Sequence, residues 1–230
     1  MRISVFVLIV AIIFGSISLS YHLLSSPKAN YKHNTQESVS QKSVKAQQNP
    51  LENLDPFTRK VVKGALHRAE KGTRYDAAYI SLTYPGGDVP DDRGACTDVI
   101  IRSFRNADVD FQKLIHEDMK ARFAQYPQNW GLRKPDRNID HRRIPNLLCF
   151  LDKYGKKLSA SISPEHLNEW QAGDMVFWDL GRGILHCGVI VMDKNAKKFP
   201  LVVHNIGICR KDDCLERWPI VGHYRYKPTN

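Results

Sequence analysis

Apolar and polar positions fall into three regimes along the chain. From Ile3 to Ser26 there is no Asp, Glu, Lys or Arg, only the run ISVFVLIVAIIFGSISLSY and a short tail with His22, preceded by Arg2. That run exceeds the roughly 7–15 residues of a signal-peptide core and approaches the ~20 of a spanning helix, so residues 1–24 are expected to be a signal peptide or membrane anchor. Ser16-Ile17-Ser18 and Ser18-Leu19-Ser20 offer small residues for cleavage, and no cysteine stands near them for lipid attachment. Residues 25–54 are rich in Ser, Gln, Asn and Lys with little to bury, which predicts a disordered linker. Residues 55–230 are long enough to close one full core.

Within this domain the apolar period changes. In the first two-thirds it is helical. Asp55-Pro56 reads as an N-cap with proline at the first helical position, and Phe57, Val61, Val62, Ala65, Leu66 and Ala69 keep one face up to Gly72. The turn-rich stretch from Thr73 to Ala95 is a loop. A short helix follows from Cys96 to Asn106, a third starts after Asp110, a fourth runs from about Pro145 to Tyr154, and Ser163-Pro164-Glu165 opens a last turn. After Gly173-Asp174 the runs MVFWDL, HCGVIVMD, FPLVVHNIG and GHYRYK are β-branched or aromatic and predict an antiparallel meander. The fold class is therefore α+β, with N-terminal helices packed on a C-terminal antiparallel sheet.

The formal charge is +10, of which residues 1–50 carry five Lys/Arg against one Glu, leaving about +6 on the domain. A basic domain behind an export segment suits an anionic envelope partner. No alternation of basic and aromatic residues suggests nucleic acid, and the membrane is expected to be met only through the N-terminal segment. The domain is expected to be a monomer.

Five cysteines in an exported chain leave one unpaired if the others are joined. Cys209 and Cys214 bracket RKDD and are candidates for a local disulfide. Cys149, in LLCFL, and Cys187, in a strand run, read as small buried hydrophobes. Cys96 differs, because it opens a helix. Unpaired N–H groups and the positive end of the helix dipole favour a thiolate there. Acyl transfer from a thiolate also needs a proton donor and a group that orients it. His186 heads one strand run and His204 ends the next, so in an antiparallel pair the two imidazoles can meet. Asn205 is the alternative orienting residue, since only one of two successive strand residues can face His186.

RYDAAYISLTYPGGDVPDDRGACTDVIIRSF, PDRNIDHRRIPNL, GDMVFW, HCGVIV, VVHNIG and GHYRY resemble an uncharacterised bacterial envelope family, domain of unknown function 1287, over roughly Leu54 to Lys227. Beyond it, the chain resembles the NlpC-type cysteine peptidases of the papain-like fold. That resemblance implies Cys96 as nucleophile, His186 as general base and acid and His204 as the third residue, with Tyr75 near the thiol and no cofactor or metal. It also implies a peptidoglycan amide as substrate. Where the larger family has Asp-Cys-Ser-Gly, this chain has Ala95-Cys96-Thr97-Asp98, which places Asp98 beside the nucleophile as a candidate substrate contact. In the inserted segment, His141 and Arg142 are candidates to hold a substrate carboxylate, set among Arg133, Lys134, Arg137 and Arg143. Two other readings are open: a wall-binding module without catalysis, and a zinc hydrolase using His116, His141, His186 and His204, although no H-E-x-x-H or C-x-x-C spacing occurs.

Overall fold

The computed structural model describes residues 51–192 and 198–228. The leader, most of the linker and most of the turn between the His186 and His204 runs lie outside them. The described end of the linker belongs to the domain, because Leu51 and Leu54 pack against the core.

Helix α1 (Pro56–Lys71) starts where Asp55 accepts from the Thr58 amide at 3.1 Å and its hydroxyl at 2.7 Å, and stops at Gly72, whose φ of 60° is left-handed. Two-residue strands β1 (Arg74–Tyr75) and β2 (Arg93–Gly94) pair in parallel and deliver the chain to α2 (Cys96–Arg105). Helices α3 (Phe111–Arg122), capped by Asp110, and α4 (Ile144–Tyr154) follow. Among the described residues no helix is long and apolar enough to cross a membrane.

The C-terminal third holds β4 (Met175–Asp179), β5 (Leu185–Val191), β6 (Leu201–Asn205), β7 (Cys209–Asp212) and β8 (Ile220–Arg225), with β3 (Lys156–Lys157) preceding them. The antiparallel sheet is ordered β3-β8-β4-β5-β6-β7. The expected meander therefore holds only from β4 to β7. Strand β8 crosses back to the far side of β4, and β7 forms where the sequence reads as a polar loop.

Strand alternation gives the sheet two faces. Met175, Phe177, Cys187, Val189, Val203 and Cys209 face the helices and share a core with Val61, Ile100, Phe104 and Leu147. Val176, Trp178, Ile190 and Val202 face the other way, under Trp170, Leu215 and Trp218. Cys209 and Cys214 belong to these two different clusters, and both are free thiols. The local disulfide is thereby corrected: strand β7 separates the pair across the sheet.

The Gly173-Asp174 turn has a structural task. Gly173 takes a φ of 88°, and the wholly buried Asp174 accepts from His223 Nε2 at 2.9 Å and from Arg225 Nε at 2.6 Å, tying β8 to the start of β4.

Candidate active site

Cys96 is the first residue of α2, and Asp98 folds back to accept the Ala95 amide at 2.6 Å. The helix start meets β5 where the β5–β6 ladder ends, at the pair Gly188–His204. Ile190 bonds through both its backbone groups to the β4 side, at Asp174 and Gly173. By alternation the Cys187 amide points to the β6 side, just past the last ladder pair, from where it favours the Cys96 thiolate. The Cys187 thiol and the His186 ring favour the same thiolate. The end of the ladder thus supplies the opening through which the thiol reaches the strand.

These contacts decide the thiol's chemistry. The Cys187 thiol, then His186, pull the Cys96 pKa down to about 5 against the opposing effect of burial. The other four cysteines shift upward: burial raises Cys149, sends Cys187 well above its ordinary value and takes Cys209 and Cys214 to about 12. Of five thiols, only Cys96 is poised as a thiolate at neutral pH.

His186 Nε2 lies 2.8 Å from His204 Nδ1. With Nε2 engaged, the nitrogen left for Cys96 is Nδ1. Both rings are buried, and burial followed by the neighbouring His186 lowers the His204 pKa to about 4, so His204 is neutral. Gly188, opposite His204, makes this approach possible. A Cβ there would lie 2.9 Å from Val203 O and 3.1 Å from His204 Cβ. Trp178 stacks on His186 at 5.6 Å between centroids, and Trp218 meets both rings edge-on at 5.8 and 6.2 Å. This aromatic enclosure excludes water from the imidazole pair.

The family of the chain can be stated at this point, since a model described as Domain of unknown function (DUF1287) matches residues 62–226. The chain belongs to the DUF1287 family. It is 48% identical over 167 residues, 72% of this chain and 80% of the relative, to a protein of Escherichia coli (strain K12) described as Uncharacterized protein YijF. Two solved structures are similar. One is described as similar to lipoprotein, NLP/P60 family, from Staphylococcus aureus subsp. aureus Mu50, with TM-score 0.42, 14% identity, and coverage of 76% of this chain and 43% of that one. The other is NlpC1 of Trichomonas vaginalis, with TM-score 0.41, 13% identity, and coverage of 79% and 49%. This chain spans less than half the length of either structure.

The remaining candidates of this DUF1287 domain are placed less uniformly. Tyr75 is 46% exposed beside the thiol; its amide donates to Gly207 O at 2.7 Å, and burial followed by the Cys96 charge raises its phenol pKa. Arg142 is buried under α2, with Nε 2.9 Å from Asp98 Oδ1, Nη2 2.9 Å from Asp98 Oδ2 and Nη1 2.8 Å from Ala78 O. His141 is buried beside it and held neutral, its pKa lowered to about 3 first by burial and then by Arg142. Asn205 turns away from His186 and donates to Thr73 O at 3.1 Å and Gly94 O at 2.9 Å. The expectation that Asp98, His141, Arg142 and Asn205 touch substrate is corrected on this geometry. They are sealed in the protein, and the polar groups of Asp98, Arg142 and Asn205 that would grip a substrate already bond to it.

The four histidines of the zinc reading do not converge. Among the described residues the group able to hold a cation is His204, Asp212 and Cys214, while His116 packs edge-on against Tyr84 at 5.0 Å. Sequence reasoning missed Cys187, Trp178, Trp218 and Asp212. For Cys187 one signal was available, since it is the residue between His186 and Gly188 in H-x-G.

Proposed function

We propose that this domain is an exported cysteine hydrolase that cleaves an amide bond, with peptidoglycan stem peptides as the substrate class. The observation that carries the reading is the 2.8 Å contact between His186 and His204 next to the Cys96 thiol, whose pKa the His186 ring helps to draw down. In this mechanism the Cys96 thiolate attacks the amide carbon and the C=O π pair moves to oxygen. The tetrahedral species collapses, the C–N bond breaks, and the His186 imidazolium gives its Nδ1 proton to the leaving amine. Water, deprotonated by the now neutral His186, attacks the thioester; the acid leaves and Cys96 departs as thiolate, restoring the ion pair. His204 holds the His186 ring by accepting its Nε2–H throughout. Tyr75, at the open rim, is the proposed substrate contact. Asp98, Arg142 and Asn205 fix the nucleophile helix and the entering loop around it.

The apolar run in residues 1–24 and the basic balance of the domain support an envelope location, with the N-terminal segment as the route to the membrane. The test is digestion of purified peptidoglycan sacculi, followed by mass analysis of the released fragments. Wild-type protein is expected to release fragments carrying new amine and carboxyl ends, and Cys96→Ala to release none while still folding. Sacculi that bind the protein but yield no fragments would favour the wall-binding module on the same fold.

A further inference from the structure

The hydrogen-bond line does not stop at His204. His204 Nε2 lies 3.4 Å from Asp212 Oδ2; the imidazole is fully buried and the carboxylate side chain 19% exposed. Asp212 stands on β7 opposite Val202, two pairs along from His204 and therefore on the same face, a diagonal from which a carboxylate can reach the ring. Two guanidiniums hold it: Arg217 Nη1 at 2.8 Å and Arg210 Nη2 at 3.2 Å from Oδ2. Hydrogen bonds from Arg217, His204 and Arg210 outweigh burial and draw the carboxyl far below the usual carboxylate range. Asp212 is therefore a permanent anion and can only accept.

An acceptor fixed at that end determines the protons along the whole line. His204, neutral, must carry its hydrogen on Nε2 to donate to Asp212, which leaves Nδ1 as a lone pair. His186 must then donate from Nε2, which leaves its Nδ1 to exchange a proton with Cys96. The geometry assigns Asp212 as a positioning residue that acts through His204, setting the tautomer of both imidazoles and so the proton poise of the nucleophile. This role rests on the proposed reading of Cys96 and extends it by one residue beyond the triad.

The same atoms form the candidate cation group of His204, Asp212 and Cys214, which lie within 4.8 Å of one another. A cation is disfavoured there, because Arg210 and Arg217 already occupy the carboxylate and the Cys214 thiol, pushed up to about 12 first by burial and then by Asp212, keeps its proton. The charged and titratable groups around the His204–Asp212 pair are His186 on β5, Arg210 on β7, and Asp213, Cys214 and Arg217 on the segment after it.

The test uses the full-length protein and two readouts. Long-range 1H–15N spectra report the tautomers of His186 and His204, and mass spectrometry reports iodoacetamide labelling of Cys96 at about pH 4, below the thiol's folded pKa of about 5, where thiolate fraction limits the rate. Asp212→Ala is expected to remove the Nε2–H form of His204 and to slow labelling about tenfold, the effect of one pKa unit. Asp212→Asn, whose amide oxygen still accepts, should keep the tautomer and recover most of that rate. Should Asp212→Ala unfold the protein, exposing Cys209 and Cys214 to label, Asp212→Asn and Asp212→Glu carry the comparison. Unchanged tautomers and an unchanged labelling rate in Asp212→Ala would overturn the assignment, as would saturable Zn2+ binding by the wild type that Asp212→Ala abolishes. If wild-type Cys96 labels no faster than Cys149, the nucleophile reading fails, and the tautomer spectra still decide what Asp212 does to His204.

Discussion

The sheet carries two histidine sites that look alike and are chemically opposite. At one end His223 is buried against Asp174 at 2.9 Å and stacked on Trp170 at 3.6 Å, with Arg225 on the same carboxylate. At the other, His204 is buried beside Asp212, its partner His186 is stacked on Trp178, and Arg210 and Arg217 hold the carboxylate. The difference lies in the second nitrogen. His223 Nδ1 meets the Ser159 carbonyl oxygen at 2.8 Å, so both its nitrogens are taken up by acceptors that tie strands together and neither turns to a nucleophile. His186 has one nitrogen on another imidazole and the other turned to a thiol. A buried histidine, a carboxylate and a tryptophan make a brace; the same set with a thiol at its open end makes a candidate catalyst.

Separating the two sites by mutation sharpens that contrast. The largest effect is expected at the brace: Asp174→Asn leaves His223 and Arg225 facing a neutral amide and should lower unfolding stability by about 3 kcal/mol in urea titrations, as breaking a buried ion pair does. In molecules that remain folded, Cys96 labelling should be unaltered. His186→Ala should do the reverse, slowing Cys96 labelling by about 100-fold near pH 6 through loss of the ion-pair partner, with a modest change in melting temperature. A smaller effect, about tenfold, is expected from Cys187→Ala, which deletes the thiol donor while keeping the backbone amide that also reaches Cys96. If His186→Ala melted the protein and Asp174→Asn silenced Cys96, the two sites would have been assigned the wrong way round.

Much of this was legible in the sequence, for identifiable reasons. Asp55-Pro56 and Gly72 mark α1 because capping chemistry is local, and the apolar runs at β4, β5 and β6 mark strands because burial on both faces leaves no polar alternation. Strand β7 was illegible: its sequence CRKD is polar, and its pairing depends on β6 lying alongside. Misreading it as a disulfide loop also hid Asp212. The crossing of β8 to β4 depends on Asp174 gripping His223 and Arg225, a contact about fifty residues apart that no local pattern announces. Arg142 read as a substrate clamp because a bidentate guanidinium suits any carboxylate; only the packing reveals that the carboxylate is Asp98.

The central claim is that Cys96 is held as a thiolate by the strand it touches, and the pH dependence of its labelling tests this most directly. A thiol whose folded pKa is depressed stays ionised as pH falls until that pKa is reached. Rates for Cys96, separated by peptide mass from those of Cys149, are predicted to stay high from neutral pH down to a midpoint near 5, against an ordinary thiol value of 9.0. A midpoint at or above 9.0, or labelling of Cys96 no faster than that of Cys149, would contradict the account.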